Sequence, residues 1–189
     1  QHIRAMINYT RLVSSARKQD KSFSDKAVSF YQEELAVKPE NNHIKLGLAY
    51  IYKLDKNHEA ATKLLKTIAS STNPIKGIEI ILGDTYKAQG NFQAAINSYQ
   101  KFESSNPKDL RATQKLLTLF EQRRQYDKAL THLNKILEDY QDNDSLLLLK
   151  LYYQSMLKIE PNQVELATIK ASKVTANHWL LDKTLANFA

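Results

Sequence analysis

Along most of the chain, apolar residues recur at i, i+3, i+4 and i+7, the spacing that lines one face of an α-helix. No stretch keeps the strict alternation that a half-buried strand needs. The amphipathic runs are broken by turn chemistry: "SSTNP" at 70–74, "AQGN" at 88–91 and "SSNPKD" at 104–109, with "DNDS" at 142–145 offering an N-cap before Leu146. The pattern predicts helices in pairs, each pair closed by a short turn and joined to the next by a link, three of which carry proline.

The pairs repeat. Ala27, Ala61, Ala95 and Ala129 follow one another at a single unchanging interval. Four positions after each stands Tyr31, Leu65, Tyr99 or Leu133, and three further on Glu34, Ile68, Phe102 or Ile136. Pro39, Pro74 and Pro107 follow the first three. In the other half of each unit, Leu46–Gly47 with Tyr50, Leu82–Gly83 with Tyr86, and Leu116–Leu117 with Phe120 share one internal spacing. The step from the first of these sets to the second exceeds the alanine interval by two positions, whereas the next step equals it. The unit near Glu40 is therefore expected to hold two extra residues in its turn, "KLDKNH". Leu12–Val13 with Ala16 fill the corresponding slots of a first unit. Gly83 is expected to make room for the partner helix at Ala95, and Gly90 to take a left-handed turn.

This arrangement resembles the tetratricopeptide repeat, a helix–turn–helix unit with a period of about 34 residues. The match is fullest from Lys76 to Asp109, at Leu82, Gly83, Tyr86, Phe92, Ala95, Tyr99 and Pro107. The resemblance implies an all-α fold, an α-α superhelix of antiparallel helix pairs, over a single array at 1–189. Its repeats are expected near 6–39, 40–74, 75–108, 109–142 and 143–177, followed by a C-terminal helix at 178–189. That last helix reads as a cap or as the first helix of a further unit. Stacking such units makes one continuous core, since none buries its apolar face alone.

Composition narrows the picture. The 189 residues are 42% hydrophobic and 25% charged, ordinary for a folded chain. The longest run of large apolar residues, Leu146–Leu149, falls far short of the ~20 that span a bilayer, so a soluble protein is expected. With no Cys, disulfides and thiolate chemistry are excluded, and the compartment stays open between cytoplasm and bacterial periplasm or envelope. The chain opens on Gln1 rather than Met, which suits a processed product or a piece of a longer array. The net charge of +7 comes from scattered residues and reads as a solvated basic surface.

Candidate chemistry is sparse. His2, His43, His58, His132 and His178 form no HExxH or HxxxH, so neither metal nor cofactor is expected. The carboxylate pairs Glu33–Glu34, Glu138–Asp139 and Asp142/Asp144 are neighbours in sequence and point to different sides of a helix or serve as caps. Phosphate-loop, dinucleotide and nucleophile-elbow motifs are missing, so no catalytic residues are assigned and no enzyme is expected. RNA reading of the helical-repeat kind needs a code of polar residues at repeated positions, whereas the fixed columns here are packing residues.

What the resemblance implies instead is a concave groove lined by the first helix of each pair. Carried onto this chain, its lining is Asn41, Ile44, Lys45, Leu48 and Ile51; then Ile80, Asp84 and Lys87, with Gly77; then Arg111, Gln114, Lys115, Thr118 and Glu121. Family members that clamp a terminal carboxylate use Lys and Asn where Ile44, Leu48, Ile80 and Asp84 stand, so that subgroup's ligand is not expected. The apolar stripe has two readings: it receives an amphipathic helix or extended segment of a protein partner, or it packs between helices. A non-catalytic interaction scaffold is therefore expected, with a structural section of an envelope or exopolysaccharide-export array, and then an RNA-binding repeat protein, as alternatives.

Overall fold

A computed structural model describes residues 12–13, 22–172 and 178–188. The repeat slot at Ala16, the start of the first expected repeat and His2 lie outside them. All regular structure among the described residues is helical: α1 (Ser22–Val37), α2 (Asn42–Leu54), α3 (His58–Ala69), α4 (Ile78–Ala88), α5 (Phe92–Ser105), α6 (Arg111–Gln122), α7 (Tyr126–Asp139), α8 (Asp144–Met156), α9 (Gln163–Ala171) and α10 (His178–Phe188). The fold class is all-α, of the α-α superhelix type. The chain divides into two compact units, 1–112 and 113–189.

Asparagines start many of the helices. The Oδ1 of Asn41 accepts from the backbone N–H of His43 and Ile44 (3.0 and 3.3 Å), that of Asn57 from Ala60 (3.2 Å), and that of Asn91 from Ala94 (3.2 Å). Asn143 caps α8 through Leu146, as the "DNDS" signal implies, and Asn162 caps α9 through Val164. Each such bond satisfies a donor that the first helical turn leaves without an internal partner.

The turns inside the helix pairs correct the expected insertion. Lys56, Gly90, Arg124 and Lys158 all have left-handed backbone (φ 60, 76, 54 and 57°). They are evenly spaced, at the same interval as the alanine column. After each, a backbone N–H reaches back to close the helix end: Asn57 to Tyr52 O (2.8 Å), Asn91 to Tyr86 O (2.9 Å), Gln125 to Phe120 O (2.8 Å) and Ile159 to Gln154 O (2.9 Å). This is a Schellman closure repeated in register. The turn after α2 therefore has the same length as the turn after α4, and no residues are inserted. The true counterparts of Leu82, Gly83 and Tyr86 are Leu48, Ala49 and Tyr52, not Leu46, Gly47 and Tyr50. The link at 70–77 is long only because α3 stops at Ala69 and α4 begins late, at Ile78.

In the first unit α1 packs on α2, α2 on α3, α3 on α4 and α4 on α5. One buried cluster joins Val13, Ala27 and Tyr31 to Ile44, Leu48 and Ile51. A second joins Ala49, Ala61, Leu65 and Ile68 to Ile78 and Leu82. Two glycines of this unit lie directly under tyrosine rings. A Cβ on Gly83 would come within 3.0 Å of three ring atoms of Tyr99, and one on Gly47 within 2.9 Å of the far end of Tyr31. The neighbour that demands Gly83 is thus the Tyr99 ring rather than Ala95. Gly47 and Ala49 are two residues apart, about 200° around a helix. Hence Gly47 meets α1 while Ala49 joins the cluster around α3.

In the second unit α8 packs against α7, α9 and α10. Leu147, Leu148 and Leu151 form its core with Ile169 and Leu181. Lys150 pairs with Glu165 of α9 at 2.6 Å, and Ser172 is bonded to the Asp144 carboxylate. On the other side Lys183 reaches Tyr152 Oη (3.3 Å) and Asn187 donates to Ser155 Oγ (3.2 Å). Leu181 stands one full repeat interval after Leu147, so α10 has the register of a first helix.

Gly83→Ala is expected to cost about 1–3 kcal/mol through the forced shift of Tyr99. The midpoint of urea unfolding should fall, and fall less in a Tyr99→Leu background, because the two residues are coupled. Gly90→Ala should cost about 1 kcal/mol and Lys56→Gly should gain about 0.5 kcal/mol, since both act on left-handed backbone in open turns.

Candidate functional site

With the register fixed by the turns, the outward columns of α2 and α4 come into line. His43, Leu46, Tyr50 and Lys53 on α2 each stand one repeat interval before Gly77, Ile80, Asp84 and Lys87, at and along α4. Leu46, Lys53, Ile80, Asp84 and Lys87 are half-buried, and Tyr50 is 37% exposed. These residues share one side of two neighbouring first helices within the first unit.

The expected lining of α2 lies elsewhere. Ile44 and Ile51 are fully buried and Leu48 nearly so, all in the cluster with Ala27 and Tyr31. Lys45 is buried too, its ammonium 3.5 Å from Glu40. Asn41 is committed to capping α2. The packing reading of this apolar stripe is the one the burial supports. The cause is the two-residue phase shift, which moves every α2 position to the far side of the helix. The signals that would have found Leu46, Tyr50 and Lys53 were the aromatic pair Tyr52 and Tyr86 and the asparagine pair Asn57 and Asn91, each at the full period.

On α4 the centre of the site is Asp84. Tyr99, fully buried on α5, donates its hydroxyl to Asp84 Oδ1 at 2.8 Å. Burial raises the Tyr99 phenol well above its ordinary value near 10, and the hydrogen bond to the ionised carboxylate and that carboxylate's charge raise it further. Burial also raises the Tyr50 phenol, with the Asp84 charge contributing. Lys53 lies over the Tyr50 ring, its ammonium 5.5 Å from the centroid. Glu79, the other acid of α4, pairs with Lys101 of α5 at 3.9 Å.

Arg111 is held by the link before it. Its guanidinium grips Asp109 in a two-pronged contact (2.9 and 2.7 Å) and lies over the Phe102 ring at 5.3 Å. That contact keeps the Asp109 carboxyl below its usual range. In the second unit Gln114, Lys115, Thr118 and Glu121 are exposed on α6. Thr118 Oγ1 is bonded to the Gln114 carbonyl at 2.8 Å. Burial raises the Tyr153 phenol, and the Glu121 charge adds to it.

Among the described residues no three His, Asp or Glu side chains gather as metal ligands. No described helix is long and apolar enough to cross a membrane.

The family pattern of the tetratricopeptide repeat matches residues 86–152. No curated protein sequence matches the chain. Among solved structures, one of MamA is 20% identical with a TM-score of 0.55, over 91% of this chain and 88% of that one. A second MamA structure is 18% identical with a TM-score of 0.58, over 96% and 91%. A tetratricopeptide repeat protein from Parabacteroides merdae ATCC 43184 is 18% identical with a TM-score of 0.54, over 97% and 76%. These likenesses are of fold.

The raised tyrosines set an alkaline limit. Phenols of the unfolded chain ionise near 10 while the folded Tyr99 stays protonated, so its contribution is complete below pH 10 and is lost as pH rises through the folded value. Between about pH 8 and about pH 11 the urea midpoint should fall, and fall less in Tyr99→Phe, whose unfolded state has one fewer group to ionise.

Proposed function

We propose that this chain, which matches the tetratricopeptide repeat over residues 86–152 and shares the fold of such proteins, acts as a non-catalytic scaffold, holding a segment of a partner protein against the first-helix face of its first unit. The observation that carries this reading is the aligned pair of columns on α2 and α4. They offer apolar surface (Leu46, Ile80), an exposed aromatic ring (Tyr50) and charges of both signs (Lys53, Asp84, Lys87), all partly open to solvent. Amphipathic segments are bound by such surfaces, with apolar anchors giving affinity and fixed charges giving register. The repeats stand near 40–74, 75–108 and 109–142 in this reading, with flanking units at 6–39 and 143–177. Asp84 and Lys87 keep their expected lining role, and Leu46, Tyr50 and Lys53 replace the buried positions of α2.

Leu46→Asp and Ile80→Asp test it. Dodecapeptides selected from a random display library on the full chain should bind each variant about tenfold more weakly or worse. Circular dichroism melts would show whether each variant keeps its helices. Selected peptides that bind both folded variants as tightly as the parent chain would sink the groove reading.

A further inference from the structure

The helix pair α8–α9 is built differently from those before it. Leu48, Leu82 and Leu116, one repeat interval apart, are buried, and the next position in that column is Lys150. Tyr52, Tyr86 and Phe120 are followed in the same way by Gln154. The second helix departs as well. The alanine column ends on Gln163 and the large-residue column on Ala167, and both are exposed. Helix α9 turns Glu165 and Ile169 inward instead, two residues further on, which is about 200° around a helix. Its buried residue is Ile169, whereas α3 buries Ala61, Thr62, Leu65 and Ile68, and α5 buries Ala95, Ser98, Tyr99 and Phe102.

The seam between α8 and α9 is therefore largely polar. Lys150 and Glu165 meet at 2.6 Å with side chains 19% and 24% exposed. The Oε2 of Glu165 is buried without a hydrogen-bond partner, and so is the Oε1 of Gln154, one turn along α8 from Lys150. Desolvating such a pair costs as much as it returns when neighbouring acceptors are left unmet. Beyond that pair, α9 is tied by Ile169, by the partly buried Leu166 and by the bond from Ser172 to Asp144. Helix α10 is held better. Its Leu181 joins Leu147, Leu148 and Leu151, its Thr184 is fully buried, and Lys183 and Asn187 bond to Tyr152 and Ser155.

We propose that α9 is a displaceable strap: it lifts from α8 as a unit of its own while α8 and α10 stay packed. Opening bares Lys150 and the flank of the Leu147–Leu151 cluster, surface that α9 covers in the closed chain. Elements of low local stability are the ones that move when a protein changes shape. The inference concerns the second unit and stands apart from the groove on the first.

Hydrogen–deuterium exchange of the full chain at neutral pH, followed amide by amide by NMR, tests it. Amides of 166–171 should be at least about thirtyfold less protected than those of 148–156 and of 182–185. The polar seam is the cause, so two variants should move α9 in opposite directions. Glu165→Gln keeps the shape but leaves Lys150 without its counter-charge, and α9 should exchange faster. Lys150→Leu combined with Glu165→Leu completes the leucine column, and α9 should exchange about tenfold more slowly while α10 changes little. If Glu165→Gln fails to fold, the apolar double variant carries the test. Amides of α9 protected like those of α8, or α10 opening together with α9, would overturn the strap. An α9 no slower in the folded double variant would overturn it too, because simple fraying of a short helix would then account for the exchange.

Discussion

In the first unit the approach of neighbouring helices is set by a tyrosine ring laid on a glycine. Tyr31 lies over Gly47 and Tyr99 over Gly83, and in each place even a methyl group would collide with the ring. Close packing gives such contacts little slack, so they fix how near α1 comes to α2 and α5 to α4. The second contact does more than pack. The ring on Gly83 ends in the hydroxyl that holds Asp84, so the absence of a side chain at one position places the carboxylate at the next. Core geometry and surface chemistry are joined through that one aromatic residue.

The same device explains how much of the fold was legible. The alanine column and the large residues four positions later mark the buried seams directly: Ala27, Ala61, Ala95, Ala129, Tyr31, Leu65, Tyr99 and Leu133 are all fully buried. Class and pairing follow from them. The phase of α2 was harder, because Gly47 and Gly83 look alike in sequence while meeting different partners. Gly47 yields to a tyrosine from the preceding helix, whereas Gly83 yields to one from its own pair. Aligning glycine on glycine slides α2 by two residues and turns its outward residues inward.

The candidate site was legible where the register was secure, on α4, and was lost on α2, where it slipped. The turns inside the helix pairs held the correct phase all along, but three of their four left-handed positions are Lys56, Arg124 and Lys158, residues that carry no visible sign of that backbone. Only Gly90 announces itself. Neither the grip of Arg111 on Asp109 nor the Tyr99–Asp84 bond has a sequence signature, because each depends on where a long side chain comes to rest in the packed chain.

The link at 70–77 has a bearing on how this chain could be handled. It is a polar stretch between helices whose own turns are locked in phase, and Thr72, Asn73 and Pro74 at its middle are exposed. Extra length in a flexible loop adds little closure entropy, and phase here is set by the left-handed turns rather than by the links. That makes 72–74 a natural seam: a reporter or tag could be threaded there, or the chain parted into complementing fragments, with the hairpins on either side keeping their geometry.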